Sequence, residues 1–230
     1  MKINHDVTKS KIESIVELIG KQSRAVDAYL KIKNDLDINY DDYTEEYKSK
    51  RLNEAWQIYY QHLQENKNAI VEKLDDIHKI ELENENIIEL DGIELANALA
   101  IIESAQGKIA PDMMTSFAKT FAGKHQALVA IESALKKYDK AVCDDFAKYV
   151  INTNDEIYKL SKEAGNLEEE PISAPVALKH LYDGIISYGE KLGLTFGSFV
   201  ADIGKSILPS YEKAMEKIAR KEMGLEYLTK

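Results

Sequence analysis

The fold class of this 230-residue chain follows from residues 52–77, which read LNEAWQIYYQHLQENKNAIVEKLDDI. Side chains recur there at spacings of three and four, which places them on one face of a helix. The stripe consists of Leu52, Trp56, Tyr59, Leu63, Asn66 and Ile70, followed after a slip of one position by Leu74 and Ile77. Such a stripe packs along its length against another helix. Asn66, its polar member, either fixes the register of the pair or is solvated or capped.

Helices account for most of the chain. With only 4 Pro and 11 Gly, the composition favours long uninterrupted helices. We predict helices over residues 6–34, 43–84, 92–105, 111–123 and 124–164, with a turn over residues 34–42. In an alternative reading of the last of these, Thr153 or Asn154 starts a separate helix.

The composition changes after residue 165. An acidic triplet and two prolines mark a linker over residues 166–175, and five glycines fall between residues 184 and 204. We predict helices near 176–190 and 195–207 and a terminal helix from Pro209 to about residue 228. The expected fold is all-α. It is an elongated bundle of long coiled-coil-like helices over residues 1–165, followed by the linker and a smaller glycine-rich C-terminal helical subdomain over residues 176–230.

Charge and cysteine content exclude several classes of function. The formal net charge is −10, and duplex DNA and anionic membranes are bound largely through Lys and Arg. Duplex nucleic acid and membranes are therefore not expected partners. The single cysteine, Cys143, allows neither an intrachain disulfide nor a cysteine-based zinc site. The polar start of the chain does not resemble a signal peptide, so we expect a cytoplasmic protein.

No catalytic, cofactor-binding or metal-binding residue is predicted. A helical di-iron site needs two Glu-x-x-His motifs, and none of the five histidines stands three residues after a Glu. Asp75 and His78 have that spacing, but they are a single pair, and the acid is Asp where the motif requires Glu. Cys143 is followed by two aspartates, whose negative charges disfavour a reactive thiolate. We therefore expect a protein that is not an enzyme and holds no cofactor.

Two groups of side chains are candidate interfaces with protein partners. Trp56, Tyr59 and Tyr60 are of the residue types enriched in binding hot spots, although the first two also lie on the core stripe. Tyr60 is one position off the stripe and is the better candidate. Met113, Met114 and Phe117 could line an adaptable groove or belong to an ordinary core.

Residues 92–139 read GIELANALAIIESAQGKIAPDMMTSFAKTFAGKHQALVAIESALKKYD. A short helix, a glycine break, a proline-started helix and then Phe121, Gly123, Ala127 and Leu128 lead into a longer helix. This pattern resembles segments of small helical structural proteins of tailed bacteriophages. The resemblance implies a role in virion assembly, in the host cytoplasm or in the virion.

Three functions remain open. The first is a non-enzymatic assembly or scaffold-like protein that binds protein partners, including itself, through helical surfaces. The second is an acidic inhibitor or adaptor of a host protein that imitates the charge of nucleic acid, based on the acidic stretches at residues 35–42, 81–89 and 168–170. The third is an enzyme whose site is assembled from scattered residues.

Overall fold

A computed structural model describes residues 5–85, 92–122, 124–138, 146, 153–167 and 170–222. None of these residues lies in a strand, and the all-α class is confirmed. The longest helices have 33 and 41 residues. The helices are α1 (Asp6–Ile38), α2 (Glu45–Glu85), α3 (Gly92–Ser104), α4 (Pro111–Thr120), α5 (His125–Lys136), α6 (Thr153–Gly165), α7 (Ala174–Lys191) and α8 (Ser198–Glu222), with a 3-10 turn at Tyr40–Asp42.

Side-chain caps set the bounds of α1 and α2. The predicted turn at residues 34–42 is too long, because α1 continues to Ile38. Asn39 ends that helix by donating its amide to the Asp35 carbonyl and carboxylate, at 3.1 and 2.9 Å. Thr44 starts α2, since its hydroxyl oxygen accepts the Tyr47 backbone N–H at 3.2 Å.

The predicted helix over residues 124–164 is wrong as a single element. α5 ends at Lys136, and the next two backbone N–H groups close a tight turn on the carbonyls three residues earlier. Tyr138 in this turn lies against Gly107, which has φ +73° and where a Cβ atom would come within 2.3 Å of the Tyr138 Cβ. α6 then begins at Thr153, as the alternative reading predicted.

Pro209 lies inside α8 and does not start a separate helix, contrary to prediction. Proline removes one backbone hydrogen bond and frees the carbonyl four residues earlier, that of Lys205. Both Pro209 and Lys205 are exposed, so water can solvate that carbonyl. The buried face of Ile203, Ile207 and Ala214 runs past the proline at helical spacing, and its packing compensates for the lost bond.

The chain forms two compact units, and the predicted division at residues 166–175 stays a prediction. The first unit comprises the described residues of Met1–Ser10, Asp76–Tyr158 and Ile186–Thr195. α3 packs on α5 in this unit, and the apolar faces of α3, α4 and α5 surround Phe121 and Phe146. An ion pair between Lys191 and Glu156 joins α7 to α6 within this unit.

The second unit comprises the described residues of Lys11–Asp75, Lys159–Ile185 and Phe196–Lys230. α1 and α2 pair in it in antiparallel orientation, because Gln22 contacts Asn66 and Tyr29 contacts Tyr59 seven residues before it. Asn66 is buried and donates to the Gln22 side-chain oxygen at 3.0 Å. The Gln22 nitrogen is also buried and has no hydrogen-bond partner among the described residues. The register role of the stripe asparagine is thus favoured over the solvated one.

Glycines of the C-terminal region allow close approach at two positions in this unit. A Cβ atom on Gly204 of α8 would come within 2.5 Å of the Tyr182 hydroxyl oxygen. That hydroxyl donates to the Val200 carbonyl at 2.9 Å and fixes the ring against α8. Gly184 of α7 similarly faces Leu160 of α6. Gly189 lies in α7, whereas Gly193 and Gly197 lie between the end of α7 at Lys191 and the start of α8 at Ser198.

The buried amide pair leads to a stability prediction. Asn66→Ala leaves the Gln22 side chain without its partner, which costs about 2 kcal/mol of unfolding free energy. Gln22→Leu/Asn66→Leu removes both polar groups, and we expect it to be as stable as the wild type or more stable. Urea denaturation followed by circular dichroism measures both changes.

Asn68→Ala is the matched control, because Asn68 is exposed on the same helix. It should change the unfolding free energy by less than about 0.5 kcal/mol. Equal effects of Asn66→Ala and Asn68→Ala would contradict the role of the buried pair.

Candidate functional site

An aromatic surface, defined as Tyr29, Trp56 and Tyr60, lies at the edge of the α2 stripe, to which Trp56 belongs. The Trp56 and Tyr60 rings stack with centroids 6.2 Å apart, and the Tyr29 ring meets the edge of Trp56 at 5.8 Å. Tyr60 is 37% exposed, as expected for a residue off the stripe. Trp56 is only half-buried although it lies on the stripe, whereas Tyr59 is 1% exposed and belongs to the core.

Open grooves flank the stripe on both sides. The groove of about 770 Å³ beside Trp56 is lined by Tyr29, Leu52 and polar residues of α2. On the other side a groove of about 410 Å³ is lined mainly by apolar residues, among them Ile58, which is 60% exposed.

Burial raises the pKa of the Tyr29 phenol, and the Asp37 carboxylate adds to this, so Tyr29 stays neutral at physiological pH.

Met113, Met114 and Phe117 do not share one surface. Met114 is buried in the core of the first unit, whereas Met113 is 41% exposed. Phe117, one turn after Met113, is half-buried against that core. Met113 and one side of Phe117 are therefore accessible at the surface, whereas Met114 is not.

A buried carboxylate in the first unit joins α1 to α2. Glu81 is 2% exposed and accepts hydrogen bonds from the Thr8 hydroxyl and from the Asn84 amide, the latter at 3.1 Å. The His5 ring nitrogen lies 3.1 Å from its other oxygen. These partners satisfy the carboxylate, and the cluster anchors the first turns of α1. Glu81 thus does not belong to an acidic surface at residues 81–89, where it was predicted.

The acidic stretch at residues 35–42 is a surface. Asp35, Asp37, Asp41 and Asp42 are exposed at the end of α1 and in the 3-10 turn that follows it. Of the other two predicted stretches, residues 86–89 and 168–169 lie outside the described residues, and Glu170 is exposed.

A basic groove of about 580 Å³, not predicted from the sequence, lies in the second unit. Its walls are α1 and α8, and Ile172 and Pro175 contribute to its lining. The cationic side chains that line it are Lys31, Lys213, Lys217 and Arg220. Three of them, Lys213, Lys217 and Arg220, lie close together on α8, whereas Lys31 lies on α1, far away in sequence. The sequence alone therefore does not bring the four together.

The residues considered for metal-binding and thiol chemistry are described in part. No group of three or more His, Cys, Asp or Glu side chains there could hold a metal ion. His78 is half-buried and Asp75 is exposed, while Cys143 and Gly123 lie outside the described residues. Within the same ranges, no helix combines the length and apolar character that a bilayer crossing requires.

Comparison of the chain with family models, with curated proteins and with solved structures finds no match.

The Glu81 cluster leads to a prediction that separates a buried anchor from an acidic surface. Glu81→Leu leaves the Thr8 hydroxyl and the Asn84 amide without an acceptor, so we expect a loss of about 2 kcal/mol of unfolding free energy. Amide hydrogen exchange in the first turns of α1 should accelerate. Glu83→Leu, at an exposed position two residues on, is the control and should have little effect on either measurement. Equal effects of the two changes would contradict the anchoring role.

Proposed function

We propose that this protein is a non-enzymatic assembly protein that binds other proteins, a second copy of itself among them, through its helical surfaces. The observation that carries the proposal is the aromatic surface of Tyr29, Trp56 and Tyr60. Tryptophan and tyrosine dominate binding hot spots because they bury large areas at a low cost in conformational entropy. A half-buried tryptophan beside an exposed tyrosine is the kind of anchor such an interface uses.

The contacts around Trp56 favour binding because they fix the rings in advance. Trp56 is held between Tyr29, in an edge-to-face contact, and the stacked ring of Tyr60. Its orientation therefore does not have to be ordered on association, and less free energy is lost. The open groove beside it gives room for a side chain of the partner.

Self-association is the simplest use of this surface. A two-fold dimer brings the same patch of both copies together, so a single apolar surface suffices. Each copy carries a net charge of −10, so the copies repel each other at low ionic strength. Salt screens this repulsion, and association through the aromatic surface should strengthen as salt is added. The virion-assembly setting that residues 92–139 imply belongs to this proposal, with capsid-type proteins as further partners.

Sedimentation velocity over a range of protein concentrations tests the proposal. We expect reversible association of the wild type, together with a blue shift of the emission of Trp56, the only tryptophan of the chain. Tyr60→Ser should raise the dissociation constant about tenfold, the effect of losing a partly buried hot-spot residue. Added salt should lower that constant in the wild type.

Tyr158→Ser is the matched control, since Tyr158 is a 72% exposed tyrosine of the first unit. It should leave the dissociation constant unchanged. A wild type that stays monomeric at all concentrations, or equal effects of the two substitutions, would overturn self-association through this surface.

A second candidate function is an acidic adaptor, which the exposed aspartates at residues 35–42 favour. Four carboxylates within eight residues form a local negative surface that suits a cationic partner. Binding of that kind weakens with salt, in contrast to the self-association above.

Titration with poly-lysine as a probe tests this second candidate. Asp37→Asn/Asp41→Asn/Asp42→Asn should weaken binding several-fold and reduce its salt dependence. Glu103→Gln/Glu190→Gln/Glu212→Gln removes the same charge at exposed positions elsewhere and should have the smaller effect. If the two triple variants bind the probe equally, net charge alone explains the binding and the adaptor proposal fails.

A further inference from the structure

We propose that the basic groove of the second unit binds a small amphipathic anion, a short alkyl or aryl group that ends in a carboxylate or a phosphate. This inference goes beyond the assembly function. It uses no residue of the aromatic surface, so either proposal can fail without the other.

The groove arises from the way α1 and α8 pair. Gly20 packs against Ile203, and the Asp27 carboxylate accepts a hydrogen bond from the Ser210 hydroxyl at 2.6 Å. The step from Gly20 to Asp27 along α1 equals the step from Ile203 to Ser210 along α8. The two helices therefore run parallel. Further along both helices, α1 offers Leu30, Lys31 and Asn34, and α8 offers residues 213–220, to the space of about 580 Å³ between them.

The groove carries positive charge that its own carboxylates do not neutralise. Four cationic side chains line it against two carboxylates, those of Asp27 and Glu216. Glu216 pairs with Arg220 at 2.5 Å, whereas Asp27 accepts a hydrogen bond from the neutral Ser210 hydroxyl and keeps its charge. Lys31, Lys213 and Lys217 have no hydrogen-bond or ion-pair partner among the described residues. These three ammonium groups line the same groove from two helices, so their mutual repulsion is relieved when an anion binds among them.

The rest of the lining favours an apolar body on that anion. Leu30, Ile172, Pro175 and Ala214 line the groove, and the last two are buried. The volume lies within the range of about 300–1,000 Å³ that is usual for small-molecule sites.

Net charge decides between a small anion and a large one. The chain as a whole carries a charge of −10, so a nucleic acid, an acidic protein or a second copy of the chain would be repelled by the remaining surface. A ligand with one or two negative charges meets little of this repulsion and still gains the contacts with the three lysines. The geometry and the charge therefore favour a small ligand.

Isothermal titration calorimetry with four probes tests the proposal: octanoate, octyl phosphate, octanol and inorganic phosphate, each below its micelle concentration where it has one. We expect octanoate or octyl phosphate to bind with one-to-one stoichiometry, and the tighter of the two identifies the head group. Octanol and inorganic phosphate should bind at least about tenfold more weakly than that ligand, because each lacks one of the two kinds of contact.

Substitutions then assign the binding to this groove. Lys31→Gln/Lys213→Gln/Lys217→Gln should weaken binding of the octyl anion at least about tenfold, allowing about threefold for each exposed lysine. Ile172→Ala should weaken the octyl anion about threefold and leave inorganic phosphate unchanged. Lys79→Gln/Lys162→Gln/Lys205→Gln removes the same charge at exposed positions outside the groove and should retain nearly all the affinity.

Three results would overturn the proposal. They are equal affinity of the two triple variants for the octyl anion, binding of octanol as tight as that of the octyl anions, and no binding of either octyl anion by the wild type. None of these results bears on sedimentation of the Tyr60 variant, so a failure here leaves the assembly proposal standing.

Discussion

One buried polar contact constrains the second unit more than any other, the hydrogen bond between Asn66 of α2 and Gln22 of α1. Apolar side chains pack against one another in several registers at similar cost, whereas these two amides form their hydrogen bond in only one. Sliding α1 along α2 by one turn would bury both amides among apolar neighbours, at about 1–3 kcal/mol for each unsatisfied group. The pair therefore specifies one alignment of two long helices.

The surfaces of this unit depend on that alignment. Tyr29 and Asp27 follow Gln22 on α1 within two turns, so the amide pair determines what each of them meets. Tyr29 reaches Trp56 and Tyr59 and supports the aromatic surface. Asp27 contacts Ser210 and thereby holds α8 in place as one wall of the basic groove. The buried contact between Asn66 and Gln22 thus determines the positions of both the aromatic surface and the basic groove.

Local sequence patterns predicted the helices well where a periodic stripe or a cap carried the information. The α2 stripe is buried from Tyr59 to Ile77, and α4 begins at Pro111 as proposed. The errors arose where distant residues decide the outcome. α5 stops at Lys136 beside Gly107, and α8 continues past Pro209 because its buried face does. Neither the contact with Gly107 nor the packing of the α8 face can be recognised in the sequence next to it.

The same difference between local patterns and distant contacts explains which sites could be predicted from the sequence. Tyr60 could be identified as an exposed aromatic residue from its position beside the stripe, because helical geometry alone places it there. The burial of Glu81 could not, since it depends on Thr8, more than seventy residues away in sequence. The basic groove draws on three separate stretches of an acidic chain, and only the fold brings Lys31 of α1 to Lys213 and Lys217 of α8.

The contact between Gly204 and Tyr182 has a consequence for how this sequence can change in evolution. No side chain larger than hydrogen fits at position 204 while the phenol donates to the Val200 carbonyl. The two positions should therefore vary together in related sequences: a residue with a Cβ atom at position 204 accompanies a smaller residue at position 182. Such paired changes would mark the packing of α7 on α8 in relatives too distant to be recognised by overall identity.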